Sequence, residues 1–281
     1  MAEPDQDNVD LDRPNAVRMY DYYLGGTGNW AMDRVLGDKV LAEVPFAPLI
    51  ARANLEFLER VLRYCVRNGI DQFLDVGSGG PTVGTVHRIA DALDPRSRCV
   101  YVDREQVAVA HGQLLLEREG DPERHAIVRA DQRDPDAVWQ AAMGAGVLDR
   151  TRPIALIFCA ALHFIPNAEP AGEMLARYRA RLPAGSYLVI SHATFDDLDV
   201  PAEYAASIRA AFELYEKSGT PAFSRRHDEI VSFFGDFEMV EPGVVWLPQW
   251  RLDEAPSPVT RNFVANPSMS IGWCGVGRKR G

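Results

Sequence analysis

The sequence predicts an α/β fold, a doubly wound and mostly parallel sheet with helices on both faces. Three observations carry this. First, apolar runs such as Pro153-Ile154-Ala155-Leu156-Ile157-Phe158-Cys159-Ala160 are continuous, as in strands buried on both faces. Second, helical patterns at 82–94, 105–117, 134–143 and 169–181 alternate with those runs. Third, the first two runs each end in an acid, Asp75 and Asp103, and a glycine-rich turn follows Asp75.

Residues 1–12 (MAEPDQDNVDLD) are acidic and nearly free of apolar side chains, so a disordered tail is expected. Residues 13–54 follow as an N-terminal helical lid over the carboxyl ends of the strands, where ligands of open α/β sheets bind. Within it, 15–24 suits a short helix that Gly25-Gly26-Thr27-Gly28 breaks. Tyr20, Tyr22 and Tyr23 either pack as core or line the ligand cleft. The core is expected over 55–281. Its strands are Phe73–Asp75, Cys99–Asp103, Ala126–Asp131, Pro153–Ala160 and a run entered through the Gly185 turn and ending at Ser191. Asp131 closes the third strand and is either a ligand contact or the N-cap of the next helix. Residues 195–224 interrupt the core as a small helical cap insertion, with Tyr204, Ile208, Phe212 and Tyr215 at helical spacing over 201–217. A helix over 225–234 leads to a sixth strand within 237–247 and a seventh within 270–276. These close the sheet as an antiparallel hairpin, and the Pro-rich piece 254–258 lies between them.

The loop after the first strand limits the ligand. In a dinucleotide-binding G-x-G-x-x-G turn the glycines cradle a pyrophosphate, but here Thr82 takes the third glycine's place. Asp75, two residues before Gly77, would repel a pyrophosphate and suits a ligand carrying an ammonium group. Asp103 lies at the tip of the next strand, where a carboxylate can accept hydrogen bonds from both ribose hydroxyls. His163, just past the fourth strand, is the candidate general base, and His192, after the fifth, is second. Each is otherwise a structural histidine. Phe223-Ser224-Arg225-Arg226, at the end of the insertion, is a basic piece that would place a cation near an acidic ligand.

These features resemble a known family. The D-x-G-x-G of Asp75, Gly77 and Gly79 is similar to the cofactor loop of S-adenosylmethionine (SAM) dependent methyltransferases. The run from Arg13 to Trp30 with Asp33-Arg34, the phrases FLDVGSGGPT, VYVD and ADQRDP, and the closing GVGRK resemble an actinobacterial group of such enzymes, formerly a domain of unknown function. The resemblance spans nearly the whole chain. It implies a Rossmann-like, seven-stranded SAM-methyltransferase sheet with the lid and cap described. It implies SAM as cofactor, S-adenosylhomocysteine as product, and an unidentified small-molecule acceptor. Cofactor contacts are expected from Arg18 (to the methionine carboxylate), Tyr22, Asp75, Gly77, Ser78, Gly79, Asp103, Asp131, Gln132 and Ala160, and catalysis from His163. A SAM-binding protein without catalysis is the alternative. An NAD-dependent oxidoreductase is a third reading, which Thr82 and Asp75 oppose.

Charge bounds the partners. A net charge of −10 disfavours non-specific nucleic-acid binding, which needs clustered cations. No apolar run reaches membrane-span length, and the first residues lack the basic and apolar regions of a signal peptide. Cys65, Cys99, Cys159 and Cys274 are scattered, without metal spacing, and read as reduced thiols of a cytoplasmic protein. No metal is expected, and the sequence is compatible with a homodimer.

Overall fold

A computed structural model describes residues 13–79 and 86–281. The tail 1–12, the position of Thr82 and the start of the helix expected from 82 fall outside the described residues. Three helices come first: α1 (Ala16–Tyr23), α2 (Ala31–Glu43) and α3 (Ala47–Arg67). Then β1 (Gln72–Val76), β2 (Arg98–Asp103), β3 (His125–Arg129), β4 (Ala155–Cys159) and β5 (Tyr187–Ala193) alternate with α4 (Val86–Leu93), α5 (Gln106–Glu119), α6 (Pro135–Gly144) and α7 (Ala171–Arg181). After β5 come α8 (Ala202–Glu216), α9 (His227–Ser232), β6 (Glu238–Met239), β7 (Val245–Trp246) and β8 (Gly272–Arg278).

The sheet order is β3-β2-β1-β4-β5-β8-β6, with β7 also pairing to β8. The first five strands are parallel, and β8 inserts antiparallel between β5 and β6. The expected sixth strand is thus two short pieces. Pro242, which cannot donate to a ladder, and Gly243, at φ +88°, break it. No helix among the described residues is long and apolar enough to cross a membrane.

Strand periodicity divides the core into two layers. Leu74, Val100, Leu156 and Leu188 face α6, α7 and α9 through Val138, Leu175 and Ile230. Phe73, Cys99, Ala155 and Val189 face α3, α4 and α5 through Phe57, Val61, Ala90 and Leu116. Arg60 of α3 is fully buried in the second layer, where it donates to the carbonyls of Trp250 and Leu247 and to Ser257 Oγ at 2.7–2.8 Å. That anchors the long loop before β8.

A third cluster joins Met19, Tyr23, Leu36, Val40 and Ala51 of the first three helices to Ile208, Ala211 and Phe212 of α8. The N-terminal helices and the insertion after β5 therefore pack on each other. Their ends are tied by Ala16 N–H donating to Thr220 Oγ1 (2.7 Å) and Gly219 N–H to the Pro14 carbonyl (2.9 Å). α3 runs unbroken through residues 54 and 55, so one helix serves both the roof and the sheet.

Candidate functional site

A cavity of about 280 Å³ lies between the carboxyl ends of β1–β5 and the roof of α1, α2, α3 and α8. Asp75, Gly77, Ser78, Gly79, Asp103, Asp131, Gln132, Ala160 and His163 all line it, so the structure brings together most of the sequence-predicted residues. Tight turns at strand ends place them. Gly77 and Gly79 take φ +73° and +71°, a region costly for residues with a Cβ. A Cβ at Gly77 would lie 2.8 Å from Ala161 Cβ and 2.9 Å from Gln132 Oε1; one at Gly79 would lie 2.5 Å from Val17 Cγ1 of α1. The roof thus rests directly on the glycine loop.

Two acids stand side by side at this rim. Asp75, 6% exposed, receives no hydrogen bond from any described residue, and burial, then the neighbouring Asp103, push its carboxyl up to about 7. Asp103 accepts from Gly79 N–H and Glu105 N–H, both at 2.8 Å, one on each oxygen. Burial still outweighs those bonds and raises its pKa. Each oxygen keeps a lone pair for a ligand hydroxyl. At the tip of β3, Gln132 donates through Nε2 to the Ala161 carbonyl at 3.4 Å, while its buried Oε1 has no partner. Asp131 accepts from Arg133 N–H and side chain. Burial acts to raise its pKa, and the Arg133 contacts overcome that and lower it. The N-cap of α6 is Asp134, which accepts from Asp136 and Ala137 N–H, so the capping role considered for Asp131 belongs three residues later.

Ala160, at φ +54°, turns the chain out of β4, and its N–H is held by Ser191 Oγ at 2.8 Å. Ser191 Oγ donates to Asn54 Oδ1 (2.6 Å), and Asn54 Nδ2 donates to Tyr20 Oη (3.0 Å), which itself donates to the Ala51 carbonyl (2.9 Å). This chain of bonds runs from the tips of β4 and β5 through α3 to α1, along the cavity wall. Its side chains come from positions 20, 54 and 191 and meet only in the fold, which local sequence pattern does not reveal.

His163 is 7% exposed, and its Nδ1 accepts from Ala193 N–H at 3.3 Å, so the ring proton sits on Nε2. Burial, then Arg225, lowers its pKa to about 3. The ring's one lone pair is therefore engaged, its basicity is low and its free nitrogen is a donor, which runs against the general-base role expected from the sequence. His192 is satisfied on both nitrogens, Nδ1 donating to the Ala193 carbonyl (2.7 Å) and Nε2 accepting from Arg225 Nη1 (3.1 Å). Arg225, 3% exposed, also donates to the carbonyls of Leu162 and Ile165. It braces the segment after β4 from behind and is not offered to a ligand, contrary to expectation. Arg226 is a surface residue paired with Asp197.

Arg18 and Tyr22 do not line the cavity. Arg18 Nε pairs with the fully buried Asp33 at 2.7 Å, Nη2 donates to the Arg13 carbonyl, and the guanidinium lies 3.9 Å from the Trp30 ring centroid. It borders a separate hollow of about 50 Å³, room for little more than a water or two. Asp33 also accepts from Asn15 and Trp30 N–H, and Asp21 from Gly28 N–H and Asn29. The conspicuous polar residues of 13–33 therefore bind one another and fix the roof's shape. Tyr22 points outward to Asp38, while Tyr20 and Tyr23 line the cavity in its place.

Residues 2–280 match the model of a family described as S-adenosyl methyltransferase. The structure is similar to that of a proposed methyltransferase from Thermobifida fusca, at 33% identity over 97% of both chains with a TM-score of 0.83. It is also similar to a DUF574 family protein from Streptomyces avermitilis, at 32% identity over 97% of this chain and 100% of that one, with a TM-score of 0.84. An O-methyltransferase family protein from Burkholderia thailandensis shares the fold, at 14% identity over 79% of this chain and 55% of that one with a TM-score of 0.50. No curated protein matches the chain.

Proposed function

The chain belongs to the S-adenosyl methyltransferase family, with SAM as its cofactor, and on that premise we propose that it methylates a small molecule held under the roof helices. SAM supplies a methyl group on a sulfonium sulfur: the carbon–sulfur bond breaks with its electron pair going to sulfur, a bond forms to the acceptor atom, and any proton on that atom passes to water. The observation that carries the reading is the Asp75 carboxyl, which no described residue hydrogen-bonds, beside Asp103 in one cavity that continues under the roof.

The residues fit the cofactor. The Asp75 carboxylate meets an ammonium group. Asp103 accepts from the ribose hydroxyls with the lone pairs that Gly79 and Glu105 leave. The orphaned Gln132 Oε1 accepts from the adenine amino group, or Asp131 does so beside it. Gly77 and Gly79 let the backbone come close. Ala160 and His163 line the wall past β4, towards the acceptor. His163 acts there as a neutral donor that orients the acceptor; proximity and orientation are worth several kcal/mol in such displacements, about 7–11 at most.

A thermal-shift titration tests this. S-adenosylhomocysteine at 100 times its dissociation constant should add about 2.7 kcal/mol of stability and raise Tm by several degrees. Asp103→Ala should weaken that binding tenfold or more. A shift with NAD alone would overturn the proposal in favour of a dinucleotide, and unchanged affinity in Asp103→Ala would remove Asp103 from the site.

A further inference from the structure

We infer that the methyl acceptor is an uncharged, ring-bearing molecule with an oxygen that takes a hydrogen bond from the Tyr23–Tyr215 hydroxyl pair. The inference rests on the methyl-transfer reading above and names the acceptor's class.

Charge is divided unevenly around the cavity. Asp75, Asp103, Arg104, Glu105, Asp131 and Arg133 are its charged lining residues among those described, and all lie at the ends of β1, β2 and β3. The lining residues from α1, α2, α3 and α8 and from the ends of β4 and β5 carry no carboxylate, ammonium or guanidinium. A charged acceptor there would lose its hydration with no counter-ion, a cost far above that of an uncharged one. Tyr20, Tyr23, Val40, Ile208, Phe212 and Tyr215 shape that end. Aromatic walls favour flat rings through offset and edge-to-face contacts.

The hydroxyls mark where the acceptor's oxygen goes. Tyr20 is spent, donating to the Ala51 carbonyl and accepting from Asn54. Among the described residues, the Tyr23 and Tyr215 hydroxyls bond only each other, at 3.4 Å. Two hydroxyl protons share one such bond, so one proton is left without an acceptor, on a pair whose Tyr23 member is 7% exposed. A buried donor left unmade is costly, and a carbonyl, ether or hydroxyl oxygen of the acceptor would satisfy it.

The test uses one bicyclic skeleton in four forms against the full chain saturated with S-adenosylhomocysteine: 1-tetralone, the hydrocarbon tetralin, and the corresponding carboxylate and ammonium. Calorimetry or ligand-observed NMR should rank the ketone at least tenfold tighter than either ion. The double variant Tyr23→Phe, Tyr215→Phe should lose about tenfold for the ketone, while tetralin and S-adenosylhomocysteine keep their affinities. An ion binding as well as the ketone, no binding by any form, or equal losses for ketone and tetralin in the variant would overturn the inference. The ranking on the natural chain needs no variant, so a double variant that fails to fold still leaves the inference open to refutation. Failure to bind S-adenosylhomocysteine would instead overturn the methyl-transfer reading beneath it.

Discussion

On the proposed function, Asp75 would couple ligand affinity to pH through one buried carboxyl. Its folded pKa of about 7 lies above the ordinary carboxyl value, so the folded chain holds a proton that the unfolded chain gives up. Its contribution to stability is therefore greatest below about pH 4 and is lost as pH rises to about 7. A ligand ammonium prefers the carboxylate, so the sign reverses for binding. Affinity for S-adenosylhomocysteine should rise from pH 6 to 8, with up to about a tenfold loss per pH unit below 7. Asp75→Asn should bind weakly and without that slope, as calorimetry across pH would show; a flat profile in the natural chain would separate Asp75 from the ammonium. Asp75 and Asp103 were legible in the sequence because strand, acid and glycine turn form a local pattern. Tyr20, Asn54 and Ser191 were not, because they meet only through tertiary packing. Arg18 misled for the opposite reason: its partner Asp33 is close in sequence, but nothing in the sequence says that the pair turns inward on itself.

Among the elements, α1 matters most to the site, because Val17 touches the glycine loop. Gly79→Ala should cost about 1–2 kcal/mol for its positive φ, and more for the collision with Val17. S-adenosylhomocysteine affinity should fall at least tenfold, and adding Val17→Ala should recover only the collision's share. Full affinity in Gly79→Ala would mean that α1 lifts off the loop when ligand binds. The five parallel strands and their helices were readable, since buried strands and amphipathic helices differ in period. The end of the sheet was less so. The apolar stretch 237–247 looks like one strand, yet Pro242 and Gly243 divide it into two pieces that pair with different stretches of β8. Only the sheet itself shows which residues of such a stretch find a ladder.

For the whole molecule, Arg225 links parts distant in the chain: the segment after β4, His192 at the end of β5, and the stretch following α8. Arg225→Met would leave the Ile165 carbonyl and His192 Nε2 unpaired and take one of two donors from the Leu162 carbonyl, a loss of about 2–3 kcal/mol and several degrees in Tm. Arg226→Met, next to it but exposed, should change Tm by a degree or so, since surface pairs are worth little. Comparable losses for both would deny Arg225 its bracing role. The union of lid and cap through the third apolar cluster was not legible as a unit, because its halves lie on either side of the sheet strands in sequence. The position of β8 has a further consequence, for biosynthesis. A ribosome delivers β1 to β5 well before Gly272–Arg278 emerges, so the outer edge of β5, with Leu188, Val189 and Ile190 on it, waits with open backbone groups. Unpaired apolar edges invite other nascent chains. The arrival of β8 thus ends the interval in which that edge stands open, and any delay in translation between β5 and β8 lengthens the exposure.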